Sequence, residues 1–169
     1  EEVLSYRFNN TFDIVAGEVD AVCNHVGIME VSGFNRYEIT GEGIHDWLDG
    51  IMCSRVSRKP GKVGLTYFLN HQGNVKGEAT LANLPDGKLW YGSAAAAENH
   101  DMEWLSEFLP LDGSIRIESL TNSHTVLVVA GPRSAELLAK VSPRCDWSKD
   151  AFPWLSVRRV HIGIAEAVA

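Results

Sequence analysis

A predicted β-hairpin that carries one acidic side chain is the feature of this sequence best suited to chemistry. Two β-favouring runs, Val63–Leu69 and Asn74–Leu81, flank a polar turn at residues 70–73. By the two-residue period of a strand, Glu78 shares a face with Lys76 and Thr80. The opposite face carries Val75, Gly77, Ala79 and Leu81. A glutamate in a strand is ordinarily a solvated surface residue, so a chemical role for Glu78 depends on its surroundings.

The cysteines and histidines are not arranged as metal ligands. The 3 cysteines include no Cys-x-x-Cys pair, and no two of the 6 histidines have the i, i+4 spacing that presents two ligands on one helix face. We therefore expect reduced thiols and no metal site.

The composition indicates a globular chain with an acidic balance. With 169 residues and 45% hydrophobic content, the chain can bury a sizeable core. It has no apolar run near the roughly 20 residues that span a bilayer, and residues 1–20 lack the pattern of a signal peptide, so we expect a cytoplasmic protein without a membrane partner. A net charge of -7 argues against a nucleic-acid partner. Basic clusters at residues 55–59 and 158–159 are interpreted as a solvated loop and a strand edge.

Hydrophobic periodicity and turn signals predict an α+β fold in which helices pack on antiparallel sheet layers. Helices are predicted at 17–26 and 44–51, from about residue 94 to Pro110, and at 131–141. Strands are predicted at 28–31, 36–40, 63–69, 74–81, 88–93, 114–120 and 125–130, and residues 156–169 are strand-like.

A weak internal repeat consists of two strand-glycine-helix units, one at Arg36–Gly43 and the other at Val126–Arg133. The Gly-x-Gly pair at Gly41 and Gly43 is not a dinucleotide-binding motif, because no third glycine follows at the required spacing. The repeat favours a layered α+β architecture over a parallel doubly wound one.

The order of several segments resembles the folate-binding domain shared by glycine-cleavage T-proteins (aminomethyltransferases) and the C-terminal halves of dimethylglycine and sarcosine dehydrogenases. The resemblance covers most of residues 20–165. The segments that carry it are Val26–Gly41, Gly64–Leu81, His100–Leu105, Leu127–Leu138 and Ala151–Trp154.

Two departures from the T-protein pattern favour the dehydrogenase branch of this family. T-proteins carry an Asp-x-Ser-His-Met run where this chain has Glu30–Phe34, and an Asp-Asp pair where it has Gly77-Glu78. Sequences similar to dimethylglycine dehydrogenase have a phenylalanine at the Phe34 position and accept either acid at the Glu78 position.

The resemblance implies an enzyme that transfers a one-carbon unit from a secondary or tertiary amine, such as dimethylglycine or sarcosine, to tetrahydrofolate. Glu78 is then the catalytic acid, since a carboxylate in a partly desolvated cavity can accept a proton or stabilise a developing cation. Phe34, Tyr67 and Tyr91 are candidate contacts for the flat rings of folate, with core packing as the alternative.

The resemblance also predicts that residues 1–169 form the N-terminal part of a longer folate-binding domain. In the family this part is followed by a completing segment and a C-terminal β-domain, and in the oxidising members it is preceded by a flavin dehydrogenase domain. Such a fragment is expected to be inactive alone, and exposed apolar surface makes pairing of two copies plausible. The alternative to an enzyme is a non-catalytic folate- or amine-binding module or a scaffold domain of a flavoenzyme.

Overall fold

The structure is a computed structural model that describes Tyr6 and residues 9–169. The helices are α1 (Phe12–Asn24), α2 (Ile44–Ile51), α3 (Glu98–Glu107) and α4 (Ser134–Val141). The strands are β1 (Gly27–Glu30), β2 (Asn35–Gly41), β3 (Lys62–Leu69), β4 (Val75–Asn83), β5 (Leu89–Ser93), β6 (Ile115–Ser119), β7 (Leu127–Ala130), β8 (Arg159–Ile162) and β9 (Ala165–Val168). The predicted α+β class with antiparallel sheets is confirmed.

The described strands form three antiparallel sheets. One has 5 strands in the order β3-β4-β5-β2-β6, and two are two-stranded ribbons, β1-β7 and β8-β9. The hairpin of β3 and β4 forms as predicted, and the next strand, β5, pairs with β4. Although β1 and β2 are adjacent in sequence, they lie in different sheets, because β1 pairs with β7 across roughly one hundred residues of chain.

The hydrophobic core lies on one face of the five-stranded sheet, which we call the core face. Alternation along each strand brings Tyr37, Phe68, Leu81 and Leu89 to this face, and α2 and α3 cover it. Helix α2 contributes its apolar stripe at i, i+3, i+4 and i+7, in which Leu48 is completely buried. The other face, which we call the open face, carries the residues that alternate with the core positions.

The two strand-glycine-helix units of the sequence have matching backbone conformations. Gly41 ends β2 with φ +132° and Gly131 follows β7 with φ +126°. A Cβ atom at Gly41 would overlap the carbonyl of Ser114, and one at Gly131 would lie 2.6 Å from the backbone oxygen of His25. In both units the glycine lets the chain turn into a helix while its backbone passes directly over a neighbouring segment.

Gly77 provides the room for a buried aromatic stack beneath the hairpin. The ring of Phe68, its cross-strand partner, lies over the Gly77 backbone and stacks on Trp104 with ring centroids 4.3 Å apart. A Cβ atom at Gly77 would lie 2.6 Å from Cε1 of Phe68, and Phe68 is 0% exposed. The stack therefore requires a residue without a side chain at this point of β4.

Replacing Gly77 with alanine is expected to lower the free energy of unfolding by about 1–3 kcal/mol, because the added methyl group displaces a tightly packed ring. Urea denaturation measures this change. Gly64→Ala is the matched control, since Gly64 lies on β3 and a Cβ atom added there would have no neighbouring atom within 4 Å. Equal stability of the two variants would contradict this packing of Phe68 against Gly77.

Candidate functional site

An apolar cavity of about 580 Å³ lies between the open face of the five-stranded sheet and the β1-β7 ribbon. Leu65, Glu78 and Thr80 line it from the hairpin, and Met29 and Val128 line it from the ribbon. Its remaining walls come from the ends of β2 and β5 and from the chain flanking β1 and β7. A concave, mostly apolar site with a few polar groups is typical of small-molecule binding.

Glu78 lies on the wall of this cavity, on the same face of β4 as Thr80, as the alternation along the strand predicts. It is exposed and directly opposite Tyr67 on β3, next to the Leu65 and Thr80 pair. Within the described residues, its carboxylate has no ion pair and no hydrogen bond. Among the described residues, therefore, no side chain is paired with this acid.

The sequence pattern places Val75 on the same face of the hairpin as Gly77, Ala79 and Leu81, but the structure does not. The register of β3 and β4 shifts between Phe68 and Leu69, so that Val75 pairs with Leu69 and is 65% exposed. A β-bulge adds a residue to one strand and reverses the alternation beyond it. On β4, strict alternation holds from Gly77 to the end of the strand at Asn83.

Arg36 also lines the cavity, but its charge is engaged by the backbone. Its side chain is 8% exposed and donates hydrogen bonds to the carbonyl oxygens of Ser32, Phe34, Thr121 and His124 at 2.7–2.9 Å. Hydrogen bonds from a charged donor are among the stronger ones in proteins. Arg36 thus joins the segment before β2, which holds Ser32 and Phe34, to the segment after β6, which holds Thr121 and His124.

The three predicted aromatic contacts occupy different positions. Phe34 lines the cavity and is 53% exposed. Tyr67 is 46% exposed on the open face, across from Glu78. Tyr91 is 1% exposed on the core face, which places it among the packed residues and away from the cavity.

A buried polar cluster beneath the cavity was not predicted from the sequence. Asp101 is 1% exposed and accepts hydrogen bonds from the Tyr91 hydroxyl at 2.8 Å and the Ser93 hydroxyl at 2.5 Å. Burial, together with the bond to Asp101, raises the pKa of Tyr91. Asn35 Nδ2 donates to the Ser93 hydroxyl at 2.8 Å, and both Asn35 and Ser93 line the cavity. The position of Asp101 three residues before Trp104, on the buried side of α3, was the available sequence signal.

Similarity to known proteins extends over the whole chain. The family model for the GCVT N-terminal domain matches residues 1–169. The chain is 30% identical over 159 residues to mitochondrial dimethylglycine dehydrogenase of Rattus norvegicus, covering 94% of this chain and 18% of that protein. It is 28% identical over 159 residues to the mitochondrial pyruvate dehydrogenase phosphatase regulatory subunit of Mus musculus, covering 93% and 18%.

A solved structure shares the fold. The glycine cleavage system aminomethyltransferase T from Bartonella henselae superposes with a TM-score of 0.72 at 16% sequence identity, over 85% of this chain and 38% of that one. The fold and the cavity thus define a T-protein-like α+β domain. The chain belongs to the GCVT N-terminal domain family. It spans about 18% of the length of the two relatives named above.

A helix that crosses a bilayer needs about 20 predominantly apolar residues. Among Tyr6 and residues 9–169, no helix is both long enough and apolar enough to cross a membrane.

Proposed function

We propose that this chain contributes the acid-bearing wall of a site for tetrahydrofolate-dependent one-carbon transfer from a secondary or tertiary amine such as dimethylglycine or sarcosine. The observation that carries the proposal is the unpaired carboxylate of Glu78 on the wall of an apolar cavity. Family membership and the relatives named above support the same reaction class.

Glu78 is suited to a substrate that carries or develops positive charge. In a cavity with mostly apolar walls, a carboxylate attracts a cation more strongly than it does in water. It can stabilise a cationic one-carbon group on the amine, or accept the proton released when the new bond to carbon forms. Because Arg36 is bonded to backbone carbonyls, it does not compete for the Glu78 carboxylate.

The cavity suits a flat ring system in size and lining. Tetrahydrofolate supplies the nitrogen atoms that accept the carbon unit. The exposed ring of Phe34 and the aliphatic side chains of Met29, Leu65 and Val128 offer apolar contact to such rings. Tyr67, opposite Glu78, extends this surface along the open face. The core position of Tyr91 supports a packing role for it.

A non-catalytic role is the second candidate function, and one comparison favours it. A relative with 28% identity is named a regulatory subunit of pyruvate dehydrogenase phosphatase. The alternative is therefore a folate- or amine-binding module or a scaffold within a larger protein. The retained acid at Glu78 supports catalysis, since a scaffold has no chemical need for a charge in an apolar cavity.

The remaining parts of the proposal concern the larger protein. We infer that residues 1–169 form part of a longer folate-binding domain, which works beside a flavin dehydrogenase domain and acts on a small amine. A cytoplasmic location and pairing of two copies stay predictions. The two relatives with 30% and 28% identity are mitochondrial proteins.

Calorimetric titration of the complete protein with tetrahydrofolate tests the binding step. Phe34→Ala is expected to weaken binding by about tenfold, since it removes one aromatic stacking surface. Phe12→Ala is the matched control, because Phe12 is 47% exposed, much like Phe34, and does not line the cavity. Turnover with dimethylglycine or sarcosine then separates an enzyme from a binder. Unchanged affinity of the Phe34 variant would exclude this cavity as the folate site.

A further inference from the structure

Strand β6 forms one end of the five-stranded sheet, and its outer side is open. Among the described strands it pairs with β2 alone. The amide of Leu120 donates to the carbonyl of Arg36 at 2.8 Å, which fixes the alternation of this antiparallel ladder. The even-numbered residues of β6 therefore bond to β2, and the backbone groups of Ile115, Ile117 and Ser119 point outward. Within Tyr6 and residues 9–169, no backbone hydrogen bond engages these outward groups.

The opposite edge of the same sheet, β3, is covered by other segments of the chain. The Val63 amide donates to the carbonyl of Leu155 at 2.9 Å, and the Cys53 amide donates to the carbonyl of Tyr67 at 2.9 Å. Coverage of this kind, a β-bulge or a proline protects an edge strand, because an open edge can pair with a strand of another chain. Strand β6 has an unbroken register with β2 and contains no proline. Its edge is therefore available for pairing.

The open face of β6 carries two charges of opposite sign, those of Arg116 and Glu118. Both side chains are exposed, and neither forms an ion pair within the described residues. Glu118 lies directly across from Glu38 on β2, and like charges in such positions destabilise a sheet. The Glu38 carboxylate already binds Lys88 Nζ at 2.7 Å and Trp90 Nε1 at 3.1 Å. A cation on the outer side of β6 would therefore stabilise Glu118.

The order of these charges matches an antiparallel copy of the same strand. When two copies of β6 pair about a two-fold axis at Ile117, Arg116 of each copy faces Glu118 of the other, and Ile115 faces Ser119. The outward backbone groups then meet as the hydrogen-bonded pairs of an antiparallel ladder. The two charged residues fall at the non-hydrogen-bonded pairs, where Cα atoms are about 4.5 Å apart and side chains lie closest. An in-register parallel pair would instead place like charges side by side.

We propose that the outer edge of β6 is an interface at which a second copy of this chain pairs, so that the two five-stranded sheets join into one continuous sheet. Backbone hydrogen bonds hold the strands together, and the two Arg116–Glu118 pairs set the register. Ile117, which packs at the border of the hydrophobic core, meets its own copy on the core face. A two-fold interface of this kind closes on itself, so the assembly stops at two copies. No residue of β6 lines the apolar cavity, so the interface and the proposed function can be tested separately.

Sedimentation equilibrium of the complete protein tests the interface. We expect a dimer whose dissociation constant rises about tenfold or more in R116E and in E118R, because each reversal turns two attractive cross-strand pairs into repulsive ones. The charge swap R116E/E118R restores opposite charges at both pairs and should return the dissociation constant to within about threefold of the parent value. K140E and E103R reverse the same charges at exposed positions on helices and should stay within about twofold.

An introduced cysteine tests the register directly. Facing Cα atoms of a hydrogen-bonded antiparallel pair are about 5.5 Å apart, a separation that a disulfide can span. I117C is therefore expected to give a cross-linked dimer on mild oxidation. S119C lies roughly 14 Å from its own copy in this register and is not expected to cross-link. The parent protein reports the background from the native cysteines, which include Cys23, Cys53 and Cys145. Thermal melting of each variant separates lost pairing from lost folding.

The remaining outcomes decide against the interface. A complete protein that stays monomeric at about 100 μM, where even a weak interface associates, overturns the proposal. So does a dimer that R116E and E118R leave unchanged, or a charge swap that fails to restore pairing. Cross-linking by S119C as efficient as that by I117C also overturns it. Loss of folate binding or turnover in other variants bears on the proposed function alone, since the two sites share no residue.

Discussion

Replacing Glu78 with glutamine is expected to lower folate-dependent turnover of the complete protein by about 10²–10⁴-fold, the range found when a positioned acid or base is removed. Glutamine keeps the shape of the side chain but cannot accept a proton or offer a negative charge. Glu78 is exposed and makes no hydrogen bond or ion pair with the described residues, so its replacement removes no such protein contact. Steady-state turnover with dimethylglycine or sarcosine measures the loss of activity. The thermal melting temperature, measured alongside, checks that the fold is kept.

Two further variants make the Glu78 experiment specific. Glu103→Gln removes the same charge from an exposed position on α3, outside the cavity lining, and should leave turnover within about twofold. Glu78→Asp should retain much of the activity, since the resemblance allows either acid at this position. Turnover of Glu78→Gln equal to that of the parent would remove Glu78 from the mechanism and favour the binding-module alternative.

Replacing Gly41 with alanine is expected to destabilise the fold by about 3 kcal/mol or more, a large share of a typical domain's stability. Its φ of +132° lies outside the left-handed helical region that other residues tolerate, and a Cβ atom there would lie 2.9 Å from the Cα of Ile115. The obstructing atoms belong to the backbone of Ser114 and Ile115 at the start of β6, where Ile115 pairs with Gly41 itself. Relief of the overlap would require separation of the two strands.

Gly43 gives a matched comparison only two residues away. Its φ is +80°, and a Cβ atom added there would meet nothing within 4 Å. Gly43→Ala therefore carries the conformational cost alone, about 1 kcal/mol. Urea denaturation of both variants measures the difference. Similar losses for the two would show that the close approach of β6 does not constrain Gly41.

Local sequence patterns predicted the bounds of a helix or strand well where its own residues determine its structure. Helix α2 has the predicted bounds because its apolar stripe and the flanking glycine signals agree. Helix α1 extends from Phe12, five residues before its predicted start. The sequence did not show that β1 pairs with β7, because strand pairing over a long separation depends on packing that no local window contains.

The part of the candidate site that lies on a single strand could be predicted from the sequence. Alternation along β4 placed Glu78 on a face opposite Ala79, and the structure agrees. The side of Tyr91 depends on the register of β4 and β5, where Leu81 pairs with Tyr91, and this register puts the ring on the core face. The contact between residues 59–62 and the segment before β8 could not be foreseen, since it depends on the bridge of Lys62 with Ser156 and on the hydrogen bond from the Val157 amide to the Gly61 carbonyl, which join distant parts of the chain.

The aromatic ring over Gly77 also limits how much charge the acid-bearing strand can hold. T-proteins place two consecutive acids where this chain has Gly77-Glu78, but here the volume next to the first position is filled by Phe68, packed on Trp104. A carboxylate at position 77 would have to enter that hydrocarbon layer without a counter-ion, at a high desolvation cost. In this chain β4 therefore offers the cavity one negative charge, that of Glu78, and a second acid beside a bound ligand would have to come from another segment of the polypeptide.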